Sequence, residues 1–461
     1  MSRQSIRHFT DLSPKVSRRT ILKGIVQSAT AAMLLPYSSL GQQVTSKESL
    51  KEAVTRIGEM DPGDERFWGL VKRQFSIKEE LIMLNAANLC PSPTSVQKKL
   101  FALTKDVDSD PSFTNRAKFA GMKEEIRRAL AEYVHADLEE IALVRNTSEG
   151  NNIVINGVQL RKGDEVVIWD QNHPTANIAW DVRAERFGYR VVRVKTPENP
   201  LHSKDLIRPF ERTFTPRTKA LAFSHVSNVS GIRIPAKELC QLARSKGILT
   251  LVDGAQTFGT FPLDLHDMDC DFFTASSHKW FCGPREMGIL YVRRECADSL
   301  YPTIVGVEWE QAKENGALKF ETLGQQAVAR FAAMQEAIMF HNTLGKLRVS
   351  TRARMLADAV RDGLKKRIPG IKFITPFEHQ RSWGVVIFHI AGLDTSHILE
   401  TLYRKYNVGC AVMGSNIRFS PHFYNTLDEI DRAAHAVAQI SGKTSLFYSQ
   451  SASQKNWNLS S

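Results

Sequence analysis

Short segments rich in apolar residues alternate with longer segments of helical periodicity through the middle of the chain. The apolar segments occupy Ile141–Val144, Gly163–Asp170, Tyr189–Lys195, Lys219–Ser224, Ile248–Val252 and Phe272–Ser276. Short, mostly apolar runs are typical of strands that are buried on both faces of a parallel sheet. Because helical segments separate them as far as Val292, the pattern predicts an α/β fold with a mainly parallel, doubly wound sheet.

Beyond about Val305 the pattern changes. Two long helical segments, Gln325–Leu344 and Val349–Arg367, are followed by strand-like residues near Trp383–Ile390 and by a last helix, Leu427–Ile440. This second pattern predicts a smaller carboxyl-terminal domain.

Polar side chains stand where two of the predicted strands end. Asp253 closes the first apolar run, and Ser276-Ser277-His278-Lys279 closes the second. Ligands of open α/β sheets bind at the carboxyl edge of the strands, so these residues are expected to meet at a binding site. A lysine amine can form a Schiff base, and an aspartate can hold a pyridinium nitrogen protonated, which suits pyridoxal 5'-phosphate (PLP).

A series of motifs in this region resembles the cofactor region of class V aminotransferases. In chain order they are Asp253-Gly254-Ala255-Gln256, Asp269-Cys270-Asp271-Phe272, Ser276-Ser277-His278-Lys279, Gly283-Pro284 and Gly288-Ile289-Leu290-Tyr291-Val292. That family includes cysteine desulfurases, isopenicillin N epimerase and kynureninase, and the resemblance is strongest from about Arg145 to Arg294.

The resemblance implies a PLP enzyme of fold type I that works as a homodimer. We expect a helical arm over residues 42–80, then a large PLP-binding domain over residues 81–305 with a seven-stranded, mainly parallel sheet. A small α/β domain over residues 306–445 and a disordered tail over residues 446–461 complete the expected order. The family segment that contacts the partner subunit's phosphate is matched only in part by Phe320-Glu321-Thr322-Leu323-Gly324.

The resemblance also implies roles for single residues. Lys279 would carry the cofactor and shuttle the α-proton, and Asp253 would stabilise the carbanion. The phosphate is expected at a hydroxyl-rich turn that opens a helix, where backbone N–H groups and the helix dipole attract anions. The residues assigned to it are Thr147, Ser148, Ser276 and His278; taken alone, Thr147 and Ser148 would be read as an N-cap.

The other assignments concern the cofactor ring and the substrate. Gln256 would hydrogen-bond the phenolic oxygen of the ring, and Asn228, in the turn His225-Val226-Ser227-Asn228, would approach the ring hydroxyl and the substrate. His173 is the candidate for stacking on the ring, although Thr175 aligns as well if Asn177 is the anchor.

Substrate binding is assigned to Arg418 and Asn85. A guanidinium can bind an α-carboxylate with two hydrogen bonds, which suits Arg418 to this role. A surface ion pair at Arg418 and a simple turn at Asn85 fit the same residues.

One family feature is missing. Cysteine desulfurases of this resemblance carry a loop with a nucleophilic cysteine before the terminal arginine, whereas Tyr406–Gly414 is followed almost directly by Arg418. Cys410 falls in the apolar strand pattern, so it is expected to be buried. This favours the isopenicillin N epimerase branch and chemistry at the α-carbon of an amino acid or peptide: epimerisation, transamination, oxidative decarboxylation or, by analogy with related exported enzymes, tailoring of siderophore peptides. A cysteine desulfurase or lyase and a non-catalytic periplasmic binding protein are the alternatives.

Composition and cysteine usage narrow the class of protein further. The apolar and charged fractions, 42% and 24%, are those of a soluble globular chain, and the formal charge of +12 is spread without a basic stripe. We therefore expect no nucleic-acid partner. The six cysteines show neither CxxC pairs nor metal-ligand spacing, so no metal site is predicted.

The first residues carry an expected export signal. Ser17-Arg18-Arg19-Thr20-Ile21-Leu22-Lys23 precedes a modestly apolar run, Gly24–Leu35, and small residues follow at Ser39-Leu40-Gly41. This order matches a twin-arginine signal over residues 1–41, and the run is too short and polar to span a bilayer. We expect the translocation machinery as a partner and a periplasmic location, while a basic amphipathic leader or a chance arginine pair is the alternative.

Overall fold

A computed structural model describes residue 55, residues 63–197 and residues 200–455, with side chains up to residue 442. The predicted export signal and the first part of the predicted helical arm lie outside the described residues, as do residues 456–461. The described helices are α1 (Glu65–Lys72), α2 (Thr94–Ser109), α3 (Phe113–Arg116), α4 (Lys118–Val134), α5 (Thr147–Gly157), α6 (Pro174–Phe187), α7 (Ser203–Thr213), α8 (Ala236–Ser245), α9 (Leu265–Met268), α10 (Trp309–Ala312), α11 (Val328–Leu344), α12 (Lys346–Arg367), α13 (Ile398–Tyr406) and α14 (Leu427–Lys455).

The strands alternate with these helices along most of the chain. They are β1 (Ile82–Met83), β2 (Ile141–Val144), β3 (Glu165–Trp169), β4 (Arg190–Val194), β5 (Thr218–Ser224), β6 (Leu249–Asp253), β7 (Phe272–Ser276), β8 (Gly288–Val292), β9 (Lys372–Phe373), β10 (Val386–His389), β11 (Val408–Gly409), β12 (Ala411–Met413) and β13 (Asn416–Phe419).

Seven strands form the main sheet, in the order β2-β8-β7-β6-β5-β3-β4. All neighbours from β7 to β4 pair in parallel. Strand β8 runs antiparallel to both β7 and β2, so six strands point one way and β8 the other. The predicted seven-stranded, mainly parallel sheet is confirmed.

Both faces of this sheet are buried. Val166 and Ile168 of β3 pack into one apolar cluster, and Val167 and Trp169 pack into another on the opposite face, because successive side chains of a strand point to opposite sides. Helices cover each face, which is why the strands carry almost no alternation of apolar and polar residues.

A second sheet forms the small domain. Its four strands follow the order β12-β13-β10-β9, with every pair antiparallel. Leu356 of α12, Leu402 of α13 and Val437 of α14 pack in the apolar cluster that covers it. The predicted α/β organisation of the carboxyl-terminal part is confirmed.

Packing crosses the predicted boundary at residue 305. Strand β1, at the start of the predicted large domain, pairs in parallel with β11 of the small domain in a separate two-stranded sheet, with Ile82 opposite Val408. Conversely, Ala333 and Ala337 of α11 belong to the apolar cluster of the seven-stranded sheet. The apolar pattern marks these elements correctly but does not show which partner each one packs against.

Helix α14 runs to Lys455, past the predicted end at Ile440 and over the first part of the predicted tail. The apolar stripe in the sequence of this helix ends before its backbone hydrogen bonds do. Hydrophobic periodicity detects only the stripe, so it places the end of the helix too early. Neither α14 nor any other helix in the described part of the chain combines the length and apolar character needed to cross a bilayer.

The partial family motif around Glu321 makes contacts within the chain. The buried Glu321 carboxylate pairs with Arg127 and accepts a hydrogen bond from the Leu143 backbone N–H, and Lys123 Nζ lies 2.7 Å away. Thr322 Oγ1 donates to the Ile304 carbonyl at 3.2 Å. This segment therefore anchors the 3-10 turn Gly316–Glu321 to α4 and β2.

Candidate active site

One cavity opens at the carboxyl ends of β5, β6 and β7, and its volume is about 230 Å³. Parallel strands that end at the same edge bring together residues that lie far apart in the chain. The predicted site residues on its wall are Thr147, Ser148, His173, Thr175, Asn228, Asp253, Gln256, Ser276, His278 and Lys279. Asn85 and Arg418 lie beside the cavity rather than on its wall.

Lys279 is held in a tight turn directly after β7. The Cys282 N–H donates to the Lys279 carbonyl at 3.0 Å, and the Gly283 N–H donates to the Ser277 carbonyl at 2.8 Å, which closes the turn around the lysine. Burial lowers the pKa of Lys279, and Arg418 lowers it further, while the negative charge of Asp253 opposes them. The lowered pKa favours the neutral, nucleophilic amine.

Asp253 ends β6 with its side chain almost fully buried. Its Oδ1 accepts a hydrogen bond from the Ala255 N–H at 2.9 Å, and its Oδ2 accepts one from Asn151 Nδ2 at 3.1 Å. A carboxylate has about four acceptor positions, so these two donors orient it and leave capacity for a third partner in the cavity.

Asn151 is a site residue that the sequence reasoning missed. It lies one helical turn after Thr147 on α5, lines the cavity, and accepts a hydrogen bond from Thr274 Oγ1 at 2.6 Å while its own Nδ2 donates to Asp253. The helical spacing from Thr147 could have placed it on the same face. Other unpredicted residues on the wall are Asn88, Asn146, Ala176, Ser224, Val226 and Ala255.

Gly254 explains why the chain can turn immediately after Asp253. A Cβ at this position would lie 1.8 Å from the Phe273 ring on the neighbouring strand. The Gly254 N–H donates to the Thr274 carbonyl at 2.8 Å. Only glycine fits here, and the close approach fixes the backbone that carries Asp253.

The amino-terminal end of α5 forms one end of the cavity. The Ser276 Oγ atom accepts from the Thr147 N–H at 2.8 Å and lies 2.7 Å from Thr147 Oγ1, while exposed Ser148 lies at the mouth. Helix N-termini attract anions through unpaired N–H groups and the helix dipole. His278 adds a neutral ring, because burial, followed by the charges of Lys279 and Arg285, lowers its pKa to about 4. This end of the cavity suits a phosphate group.

His173 and Thr175 both lie on the wall of the cavity. His173 caps α6, with its Nδ1 accepting from the Thr175 N–H at 3.3 Å. Burial and the neighbouring Lys279 lower the pKa of His173, and Asp253 opposes them. The ring therefore lies close enough to Lys279 and Asp253 for their charges to change its pKa. The assignment of His173 as the stacking residue stays a prediction.

Gln256 is oriented by two fixed partners. Trp280 Nε1 donates to its Oε1 at 2.8 Å, and its Nε2 donates to the Ala87 carbonyl at 3.0 Å. Because an indole N–H is a donor only, the amide oxygen must face Trp280. One N–H of Nε2 is then left for an acceptor in the cavity, which agrees with the predicted hydrogen bond to a ring oxygen.

Arg418 of β13 links the two predicted substrate residues. Its Nη2 donates to Asn85 Oδ1 at 2.9 Å and its Nη1 to the Asn228 carbonyl at 3.1 Å, while its buried Nε has no partner among the described residues. Burial lowers the pKa of Arg418 to about 10. A buried guanidinium with neutral partners retains an uncompensated charge, so an anion next to the cavity would stabilise it.

The connection before Arg418 is a short hairpin. Strand β12 pairs antiparallel with β13, placing Ala411 opposite Arg418, and the reversal occurs at Gly414, whose φ is +62°. Cys410 lies between β11 and β12 instead of inside a strand as predicted, and it is only partly buried. Desolvation raises the pKa of its thiol to about 12, which disfavours the thiolate.

The fold and the cavity together define an enzyme in which a lysine on a mainly parallel sheet faces a carboxylate and an anion site. The family model described as "Aminotransferase class-V" matches residues 95–433, and the chain belongs to this family. The chain is 27% identical over 394 residues to the isopenicillin N epimerase of Streptomyces clavuligerus, covering 82% of this chain and 99% of the relative. It is 30% identical over 394 residues to the isopenicillin N epimerase of Amycolatopsis lactamdurans, covering 81% and 98%.

Solved structures share the fold. A variant of C-DES with glycine covalently linked to its PLP cofactor superimposes with a TM-score of 0.74 at 22% identity, covering 80% of this chain and 99% of C-DES. The cysteine desulfurase of Thermococcus onnurineus NA1 gives 0.72 at 22% identity, covering 81% and 98%. Membership of the class V aminotransferase family, together with this shared fold, makes the protein a PLP-dependent enzyme of fold type I.

The residues present fit this cofactor. Asp253 has acceptor capacity for a pyridinium nitrogen, and Gln256 retains a free N–H for a ring oxygen. The start of α5 offers the Ser148 N–H and the hydroxyls of Thr147 and Ser148 to the phosphate. Lys279 has the amine that would hold the aldehyde carbon. When bound, PLP supplies an electron sink for carbanion chemistry.

Asp253→Asn is expected to lower kcat by about 100-fold or more, because the carboxylate charge that supports the cofactor ring is lost. The matched control is Asn151→Ala, which keeps the charge and removes one of its two hydrogen bonds, at a cost of roughly 3- to 10-fold. Steady-state kinetics of both variants check the order. Equal losses in the two variants would show that the charge of Asp253 is unimportant.

Proposed function

We propose that this enzyme acts at the α-carbon of an amino acid, either free or within a peptide, as an epimerase, an aminotransferase or a peptide-tailoring enzyme. The observation that carries the proposal is the convergence of three groups at one cavity, two on its wall and Arg418 directly beside it. Lys279 offers an amine, Asp253 a carboxylate, and Arg418 a buried guanidinium with unused hydrogen-bonding capacity.

Each of the three groups has a task in that chemistry. Arg418 binds the substrate carboxylate, which orients the α-carbon and neutralises the buried guanidinium. Lys279, once released from the cofactor, takes the α-proton and returns it. Asp253 holds the ring nitrogen protonated, which lowers the cost of the negative charge that develops at the α-carbon.

Similarity to two isopenicillin N epimerases supports epimerase chemistry. A protein that only bound a peptide would not need an amine with a lowered pKa beside a carboxylate. The retained Lys279 thus argues against a non-catalytic role.

Cysteine desulfurase or lyase activity is the second candidate, because C-DES, a cystine C–S lyase, and a cysteine desulfurase share the fold. A persulfide mechanism needs a thiolate-prone cysteine on a mobile loop. The short hairpin between Ala411 and Phe419 leaves no such loop, and Cys410 beside it has a raised pKa. These observations argue against a desulfurase. A C–S lyase needs no enzyme cysteine and is tested by the sulfide assay below.

Cys410→Ala is expected to retain at least about half of the activity on the true substrate, since the thiol is protonated and takes no part in the reaction. The measurement is turnover together with sulfide release from cysteine and cystine. Sulfide production that disappears in Cys410→Ala would restore the desulfurase interpretation.

The reaction type can be assigned with a substrate panel. Purified enzyme is incubated with free amino acids and with peptides, and the products are assayed for inverted configuration, keto acids and sulfide. Inversion without an added keto acid indicates an epimerase, while keto-acid dependence indicates an aminotransferase. No product from any α-amino substrate would contradict the proposal.

We also propose that the enzyme is a homodimer exported through the twin-arginine pathway, with PLP bound before export. The homodimer is proposed from the resemblance to the family. Export is proposed from the order of charges, apolar residues and small residues over residues 1–41. Arg18→Lys with Arg19→Lys keeps the charge and removes the guanidinium pair, so periplasmic yield is expected to fall at least about 10-fold in fractionated cells. Normal periplasmic yield of this double variant would contradict the export proposal.

A further inference from the structure

Three metal-binding side chains meet behind the turn that carries Lys279, outside the cavity. Cys90, Cys282 and His422 are 2%, 0% and 1% exposed. One ligand atom from each lies within 4.8 Å of the others. The three residues lie far apart in the sequence, so the spacing of the cysteines does not predict the cluster that the fold brings together.

We propose that Cys90, Cys282 and His422 bind a zinc ion that fastens the turn carrying Lys279.

The distances are close to those of a tetrahedral zinc site. With Zn–S bonds of about 2.3 Å and Zn–N bonds of about 2.0 Å, two ligands stand about 3.6 to 3.8 Å apart. Cys282 Sγ lies 4.0 Å from His422 Nδ1 and 3.6 Å from its Nε2. The Tyr424 hydroxyl, 3.7 Å from Cys90 Sγ, is a fourth donor group at the cluster. Since all the ligand atoms lie within 4.8 Å of one another, shifts of up to about an ångström would admit the ion.

The histidine is oriented as metal-binding histidines usually are. Its Nε2 lies 3.0 Å from the Trp280 carbonyl, so it donates there and leaves Nδ1 with a lone pair. The ring stacks against Trp280 and Tyr424, at 5.6 and 4.7 Å between centroids.

Charge and backbone conformation agree with a bound cation. Two thiolates would balance the charge of one Zn²⁺, so the occupied site would place no net charge in the protein interior. Cys282 also has a φ of +53°, a left-handed conformation that is unfavourable for a residue with a Cβ. Coordination would offset that cost.

The three residues of the cluster form hydrogen bonds with the backbone on both sides of Lys279. The Cys90 N–H donates to the His278 carbonyl at 2.8 Å, and the Cys282 N–H donates to the Lys279 carbonyl at 3.0 Å. Together with the bond from His422 to the Trp280 carbonyl, the three ligands hold three consecutive carbonyls. A metal at this point would set the position of Lys279 without touching substrate.

The test uses tag-free, PLP-loaded enzyme treated with a chelator and then titrated with Co²⁺, whose bonds to thiolates give a charge-transfer band in the near ultraviolet. We expect one Co²⁺ per chain, displaced by one Zn²⁺. Because two thiols lose protons on binding, affinity should fall by up to about 100-fold for each unit of decreasing pH.

Cys90→Ser and His422→Gln are expected to weaken Co²⁺ binding at least about 100-fold, while Cys296→Ser, a matched change at another buried cysteine, leaves it unchanged. Thermal unfolding checks that each variant folds. If one of the two ligand variants does not fold, the other is sufficient for the test. Absence of the band in the wild type, an equal band in the folded variants, or a native Cys90–Cys282 disulfide in the mass spectrum would overturn the proposal.

Discussion

Lys279→Ala is expected to abolish covalent attachment of the cofactor and to reduce turnover to background. No other amine can replace Lys279, because it is the one lysine on the wall of the cavity within the described part of the chain. The measurement is the yellow absorption of protein-bound cofactor, with borohydride reduction and peptide mapping to locate the attachment.

The matched control is Lys237→Ala, at an exposed lysine that pairs with Asp267 on the surface. It should keep both the absorption and the activity. Cofactor found attached through another lysine in Lys279→Ala would overturn the assignment of the central residue.

Arg418→Ala is expected to lower kcat/KM by about 30-fold to several thousand-fold. Losing the partner of a buried carboxylate costs roughly 2–5 kcal/mol, and each 1.4 kcal/mol corresponds to a factor of ten. Because the substrate loses its anchor, KM should rise along with any fall in kcat, which steady-state kinetics separates.

Two further variants test geometry against charge. Arg418→Lys keeps a cation but loses the planar pair of donors, so it should recover only part of the activity. Asn85→Ala keeps the guanidinium and removes one of its partners, so a loss below about 10-fold is expected. An unchanged KM in Arg418→Ala, with cofactor absorption intact, would place the substrate carboxylate elsewhere.

Much of the fold could be predicted because its main signals are local. The runs that became β6 and β7 are apolar on both faces, and each ends in polar residues, so parallel pairing alone brings Asp253 and Lys279 to one edge. The start of α5 was equally readable, since Thr147 and Ser148 follow a buried strand and open a helix.

Features that depend on tertiary packing could not be predicted from the sequence. The pairing of β1 with β11 and the packing of α11 on the large sheet depend on which surfaces meet, and apolar periodicity does not record that. The helical spacing places Asn151 on the same face as Thr147, but only the folded structure shows that its side chain donates a hydrogen bond to Asp253. Likewise, Cys90 and Cys282 meet only because two distant turns pack together.

We expect this enzyme to break and re-form the bond between the α-carbon of its substrate and the hydrogen on that carbon. The direct measurement is mass spectrometry or proton NMR of amino acids and peptides incubated with the PLP-loaded enzyme in deuterated water. We predict deuterium at the α-carbon of the true substrate with wild-type enzyme and with Cys410→Ala, and none with Lys279→Ala. Exchange that persists in Lys279→Ala, or sulfide release without α-exchange in the wild type, would contradict the account.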